Sequence, residues 1–121
     1  MSKRILVVED TMDNREIVRD MLDAAGYEMI EAVNGAEGVR LAETERPDLI
    51  LMDMQMPEID GYEATRRIKA NPALAHIPII AVTSYALAGD EAKTRAAGCD
   101  DYVAKPFSPR QLLQKIRGRL G

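Results

Sequence analysis

Several short apolar runs of this chain end in residues that can do chemistry. ILVV (5–8) is followed by Glu9 and Asp10, LILM (49–52) by Asp53, IIAV (79–82) by Thr83 and Ser84, and YVA (102–104) by Lys105. Carboxylates brought together repel one another unless a cation sits among them. Oxygen ligands with no His or Cys nearby suit a hard ion completed by water, Mg2+ above all. Thr83 and Lys105 then offer a hydrogen bond and a charge to an anionic oxygen. Such a set can accommodate a phosphoryl group as its oxygens gain charge during transfer. Asp53 follows a run expected at the centre of a sheet and is the natural nucleophile; its attack on phosphorus gives an aspartyl phosphate.

These residues meet only if the runs are parallel strands ending at one edge. Strand patterns are expected over Ile5–Val8, Tyr27–Val33, Asp48–Met52, Pro78–Val82 and Asp101–Ala104, with helical spacing between them. Ile17, Val18, Met21, Leu22 and Ala25 make one apolar face, and Leu112, Leu113, Ile116 and Leu120 make another. Asp13 with Glu16, Asn34 with Glu37, Asp60 with Glu63, and Ser108 with Gln111 have capping-box spacing. Pro109 suits a first helical position, Gly26 and Gly98 suit helix ends, and Pro47 and Pro72 close two more. The helix over Ala86–Ala97 offers only Ala88, Ala92 and Ala96 to a core, so shallow packing is expected there. The result is an α/β fold, a three-layer (βα)5 doubly wound parallel sheet with right-handed crossovers. Parallel sheets of this kind place their sites at the carboxyl edge.

The chain has 121 residues, 46% hydrophobic and 30% charged, which fits one domain with a full core. Sixteen basic against twenty acidic residues leave a net charge of −4, which argues against direct nucleic-acid binding. The longest near-continuous apolar stretch, Ile77–Val82, is interrupted by Pro78 and falls far short of the ~20 residues that span a bilayer. No signal-peptide pattern opens the chain and Cys99 stands alone, so no membrane insertion, no disulfide and a cytoplasmic location are expected.

VVED at 7–10, LMDMQMPEIDG at 51–61, AVTS at 81–84 and YVAKP at 102–106, in this order, resemble the receiver domain of two-component response regulators. The resemblance covers the whole chain, 1–121, as a single receiver domain with no output domain. It implies the flavodoxin-like, CheY-like strand order 2-1-3-4-5. GDEAKTRAAGCDDYVAKP is further similar to the single-domain receivers that control cell division.

Residue by residue, the resemblance implies that Asp53 is the phosphoacceptor. Asp10, Asp53 and the backbone carbonyl of Gln55 ligate Mg2+, with Glu9 acting through water. Thr83 is the switch hydroxyl and Tyr102 the switch aromatic. Lys105 contacts the phosphoryl group, and its bond to Pro106 is cis. The implied partners are a histidine kinase or histidine phosphotransfer protein as donor, and a downstream protein target at the face of residues 86–121. A homodimer through the same face is also implied. The chain is then a signalling phosphoacceptor rather than an enzyme, with slow autodephosphorylation.

Other residues read more plainly. Met52, Met54 and Met56 are expected to fill core, with Met56 near the site mouth. Asp13 is expected to cap a helix, the sole histidine, His76, to be solvated, and Cys99 to be a buried thiol. Lys115, Arg117 and Arg119 complement the negative end of the last helix. Three alternatives stand beside the main reading. A small Asp-nucleophile phosphatase would need a second Asp where Gln55 stands, and a cap domain. A flavodoxin-like carrier would need phosphate-cradling Ser, Thr and Gly where Glu9 and Asp10 stand. A receiver-like scaffold that is never phosphorylated would not need the complete set.

Overall fold

Each apolar run becomes a strand and each 3.6-residue pattern a helix, in strict alternation. The computed structural model describes residues 2–84 and 88–120, with side chains left out at 88–90. In order, the elements are β1 (Arg4–Val8), α1 (Met12–Ala24), β2 (Glu28–Ala32), α2 (Gly35–Glu45), β3 (Leu49–Asp53), α3 (Gly61–Ala70), β4 (Ile79–Thr83), α4 (Ala88–Ala97), β5 (Asp101–Ala104) and α5 (Pro109–Leu120). The strands form one parallel sheet in the order β2-β1-β3-β4-β5. Every residue of β3 and β4 is buried, as expected of central strands covered on both faces.

Alternation along the strands divides the core in two. Ile5, Val7, Leu49, Leu51, Ile80, Val82 and Val103 point to the side packed by Val18, Met21 and Leu22 of α1 and Leu112 and Ile116 of α5. Leu6, Val8, Ile50, Met52, Ile79 and Ala81 point to the opposite side, against α2, α3 and α4. Met54 and Met56 fill that second core together with Met52, and Met56 is buried rather than set at the site mouth. His76 is exposed, and Cys99 is buried with its sulfur 3.7 Å from the Thr65 hydroxyl.

Helix ends follow the capping signals with one exception. The Asn34 and Asp60 side chains accept the N–H of Glu37 and Glu63, and Ser108 and Gln111 cap each other reciprocally at 3.1 Å. The expected Asp13–Glu16 box does not form. α1 starts earlier, at Met12, with Thr11 at the cap position and no side-chain cap. The Glu9 carboxylate approaches the Thr11 N–H at 3.5 Å, so the preceding loop already faces the helix start and Asp13 lies within the first turn. Gly26 (φ 84°) and Gly98 (φ 109°) adopt the left-handed backbone that ends α1 and α4.

Three other expectations are corrected. Ile17 is 56% exposed, because α1 turns Val18, Met21 and Leu22 inward and leaves Ile17 on its flank. In α4, Ala92 and Ala96 face outward, while Thr94 and Ala97 are buried at 1% and 5% exposure. Thr94 is tolerated inside because its hydroxyl donates to the Glu91 carbonyl at 2.8 Å. Residues 86 and 87 and the Ala88 side chain lie outside the described residues. Lys115 and Arg119 do not simply complement the end of α5: Lys115 pairs with Asp101 at 3.0 Å, and Arg119 donates to the Asp100 carbonyl. Among the described residues, no helix is long and apolar enough to cross a membrane.

Candidate functional site

Strand register converts the sequence order of the reactive residues into proximity. Val8 pairs with Met52, Asp53 with Val82, and Thr83 with Ala104, so β1, β3, β4 and β5 end at one edge. Glu9 continues β1, Asp53 closes β3, Thr83 closes β4, and Lys105 follows β5. The Lys105 ammonium lies 3.3 Å from both Glu9 Oε1 and Asp53 Oδ2. Asp53 is only 3% exposed, and its other oxygen, Oδ1, accepts the backbone N–H of Gln55 at 3.0 Å. The Lys105–Pro106 peptide bond is cis.

Carboxylate oxygens of Glu9, Asp10 and Asp53 come within 4.8 Å of one another, Asp10 on the exposed side of the cluster. Burial holds the Glu9 carboxyl above its usual range. Its hydrogen bond to Asp53 and the Asp53 charge push the same way, and Lys105 opposes them. Asp10 is also raised, by desolvation first and then by Glu9. One ammonium therefore leaves this group of three acids short of positive charge. An all-oxygen donor set of this kind fits a hard divalent cation such as Mg2+.

The remaining predicted site residues sit one layer away. The Thr83 hydroxyl, 1% exposed, accepts a hydrogen bond from Gln55 Nε2 at 3.0 Å. Tyr102 pairs with Ala81 in the sheet and packs on the α2–α4 side. Its hydroxyl donates to Glu91 Oε2 of α4 at 3.4 Å, and the Lys115 ammonium lies 5.9 Å from its ring centroid. Thr83 is two residues beyond Ala81 on the same strand. Tyr102 and Thr83 thus point to the same side of the sheet.

Three contributors lie outside what the residue pattern indicates. Asn14 Nδ2 donates to Glu9 Oε1 at 2.9 Å, and Arg15 donates to the Glu9 carbonyl at 2.8 Å while pairing with Glu31. Together they tie the first turn of α1 to the acidic loop. The third is the Gln55 side chain: the resemblance implies only a backbone role for this residue, yet its amide bridges β3 to β4. For Asn14 a signal exists: it is a polar residue in the first turn after the acidic pair, where the spacing favours Asp13 instead.

A cavity of about 420 Å³ opens beside Asp53 and Lys105. Its walls are largely apolar, with Ile17, Val82, Pro106 and Phe107 among them. Because Asp53 is almost buried, this cavity leaves a largely apolar approach to its carboxylate.

The pattern of the family described as "Response regulator receiver domain" matches residues 5–117. The chain is 46% identical over 121 residues to the polar-differentiation response regulator DivK of Brucella anthropi, covering 100% of this chain and 98% of that protein. DivK of Brucella ovis is 44% identical with the same coverage. Among solved structures, the receiver domain of sensor histidine kinase PA1611 from Pseudomonas aeruginosa PAO1 superposes with a TM-score of 0.93 at 40% identity, covering 100% of this chain and 99% of that one. That structure has a magnesium ion coordinated in its active-site cleft. Chemotaxis protein CheY4 of Vibrio cholerae superposes with a TM-score of 0.92 at 28% identity, over 98% of each chain. With a family match over nearly its whole length, and with the acidic edge, the lysine and the strand order in place, this chain belongs to the response regulator receiver domain family.

Proposed function

We propose that the chain accepts a phosphoryl group on Asp53 from a phosphohistidine partner and so changes its contacts with other proteins. The observation that carries this reading is the Asp53 carboxylate itself. It is buried at the focus of the edge, with the Lys105 ammonium at one oxygen and a backbone N–H at the other. An Asp53 oxygen attacks phosphorus, the P–N bond to the donor imidazole breaks, and the imidazole nitrogen takes up a proton as it leaves. Lys105 stays beside the site to face the transferred oxygens. Asp10, Asp53 and the Gln55 carbonyl, with Glu9 through water, would hold Mg2+, which would neutralise charge on the phosphoryl oxygens.

The sole histidine, His76, precedes β4 on the exposed surface, so the donor histidine is read as another protein's. The apolar cavity walls near Ile17 and Phe107 supply a surface on which that donor can rest. For output, Thr83 moves toward the phosphoryl group and Tyr102 leaves Glu91 to follow it. The face of α4, β5 and α5 changes as a result and meets a target protein or a second copy.

Chemical mapping tests the phosphoacceptor assignment. The protein is incubated with Mg2+ and an acyl phosphate, and the acid-labile adduct is trapped by borohydride and located by peptide mass spectrometry. A single modified residue, Asp53, is expected; modification at Glu9 or Asp10 instead overturns the assignment.

The metal assignment carries a pH signature. Glu9 and Asp10 have raised folded-state pKa values, so their ionised forms destabilise the metal-free fold above the usual carboxylate range. That penalty disappears as pH falls through the raised values. Mg2+ relieves it only while the acids are ionised. The increase in melting temperature on adding Mg2+ is therefore expected to be large at about pH 7.5 and to shrink toward about pH 5. Asp10→Asn should reduce the Mg2+ effect at the higher pH. An increase independent of pH, or equal in the variant, places the ion elsewhere.

A further inference from the structure

We propose that the Gln55 side chain is a latch on the end of β4, setting how readily the site responds to a phosphoryl group. The inference rests on the phosphoacceptor reading of Asp53 and concerns the regulation of that same site. Gln55 Nε2 donates to the Thr83 hydroxyl at 3.0 Å, and Gln55 Oε1 accepts the Ser84 N–H at 2.8 Å. The backbone N–H of the same residue donates to Asp53 Oδ1 at 3.0 Å. One residue thus holds the nucleophile with its main chain and two consecutive residues of the β4 end with its amide.

The geometry selects glutamine. Both ends of the amide are used at once, a donor toward Thr83 and an acceptor toward Ser84. Asparagine is one methylene shorter, and a glutamate would have to take the Thr83 O–H as its donor and would add a further negative charge beside Asp53. Thr83 is 1% exposed, so water cannot freely replace the amide there. Carrying the Thr83 hydroxyl to a phosphoryl oxygen breaks its contact with Gln55, and on this proposal the end of β4 moves with it, so the Ser84 contact breaks as well. Contacts made in only one of two conformations shift the balance toward that conformation. Gln55 therefore favours the resting arrangement and raises the threshold for activation. Sequence position alone does not reveal this, since Thr83 lies 28 residues away from Gln55.

The test measures the affinity of the Mg2+-loaded protein for beryllium fluoride, a phosphoryl mimic, by amide NMR titration. Gln55→Met keeps the backbone groups and most of the volume but removes both amide contacts. At ordinary net hydrogen-bond strengths, it should bind beryllofluoride roughly tenfold more tightly than wild type. Before any ligand is added, its Ser84 amide should exchange faster. Gln55→Ala serves as the second variant, with the same direction expected. In a Thr83→Ala background the Thr83 half of the latch is already gone, so the gain from Gln55→Met should shrink to roughly threefold. No tightening in either Gln55 variant overturns the latch, as does a full gain in the Thr83→Ala background. A wild-type chain that takes up no beryllofluoride overturns the phosphoacceptor reading and the latch with it. Wild-type binding alongside unchanged variants overturns the latch alone.

Discussion

Asp53→Asn is expected to abolish phosphoryl uptake while leaving a folded protein. The substitution preserves the shape of the side chain but removes the nucleophilic oxygen, so labelling should fall by on the order of 10³-fold or more. Local geometry indicates how the variant settles. The introduced amide can keep its carbonyl oxygen toward the Gln55 N–H, but its NH2 group then faces the Lys105 ammonium, donor against donor. Turning the amide over satisfies Lys105 and sets donor against donor at Gln55 instead. Against that loss stands relief: Asp53 is one of the groups that raise Glu9, and its charge is gone. The opposing effects leave a net stability change within about 1 kcal/mol. Mg2+ affinity should fall roughly tenfold as one of the three carboxylates is neutralised. Intact mass, a thermal melt and a Mg2+ titration check the three parts. A variant that melts like wild type but still gains one phosphoryl group means that Asp53 is not the acceptor.

Gly61→Ala is expected to be the most damaging small change in the chain. A Cβ at residue 61, the first of α3, would lie 2.2 Å from the Asp53 carbonyl oxygen, 2.6 Å from the Met54 methyl and 2.7 Å from the Met54 Cα. A flexible methyl can yield, but two of these atoms belong to the backbone that carries Asp53, the proposed acceptor. α3 must therefore retreat or the end of β3 must move. Overpacking of this kind costs about 1–3 kcal/mol, only partly offset by the better helix propensity of alanine. A displacement of the acceptor by even ~1 Å can slow transfer by roughly 10²-fold. Gly118→Ala is the contrast. It lies in α5 with nothing within 4 Å of the added carbon, and should stabilise by up to about 1 kcal/mol without changing uptake. Melting temperature and labelling rate, measured on both variants, separate the two cases. Equal behaviour removes close packing against β3 as the reason for glycine at 61.

The parts of this architecture legible from sequence are those governed by local periodicity. β1, β3 and β4 stand out as near-continuous apolar runs because both faces of a central parallel strand are buried. Ser108 and Gln111 announce the start of α5 because a capping box is a contact between near neighbours. Legibility fails where packing decides. Alanine is at home on either face of a helix, so the spacing of Ala92 and Ala96 points to the wrong side of α4, and the buried residue is a threonine that bonds back to its own helix. Ile17 suits a core by type, yet tertiary rotation of α1 leaves it beside the cavity. In the site, the ends of the strands identify Glu9, Asp10, Asp53, Thr83 and Lys105 as a group. The roles of Asn14 and the Gln55 amide depend on side-chain reach across elements, which no local pattern encodes.

The division of the core by the sheet has a consequence for how such a protein can diversify. Glu9, Asp53 and Lys105 continue strands at the edge, with the cavity opening toward α1 and α5, whereas Thr83 and Tyr102 point into the layer of α4. On the proposed function, donor choice at the α1 end of the cavity and the Thr83–Tyr102 relay beneath α4 are thus written on opposite faces of one sheet, with α5 bordering both. If Asp53 takes a phosphoryl group as proposed, substitutions near Ile17 can retune which donor is accepted without rewriting the surface around Glu91 and Tyr102, and the reverse also holds. A duplicated copy can acquire a new input while keeping its old output, one half at a time, so pathways insulated from one another can arise by small, separable steps.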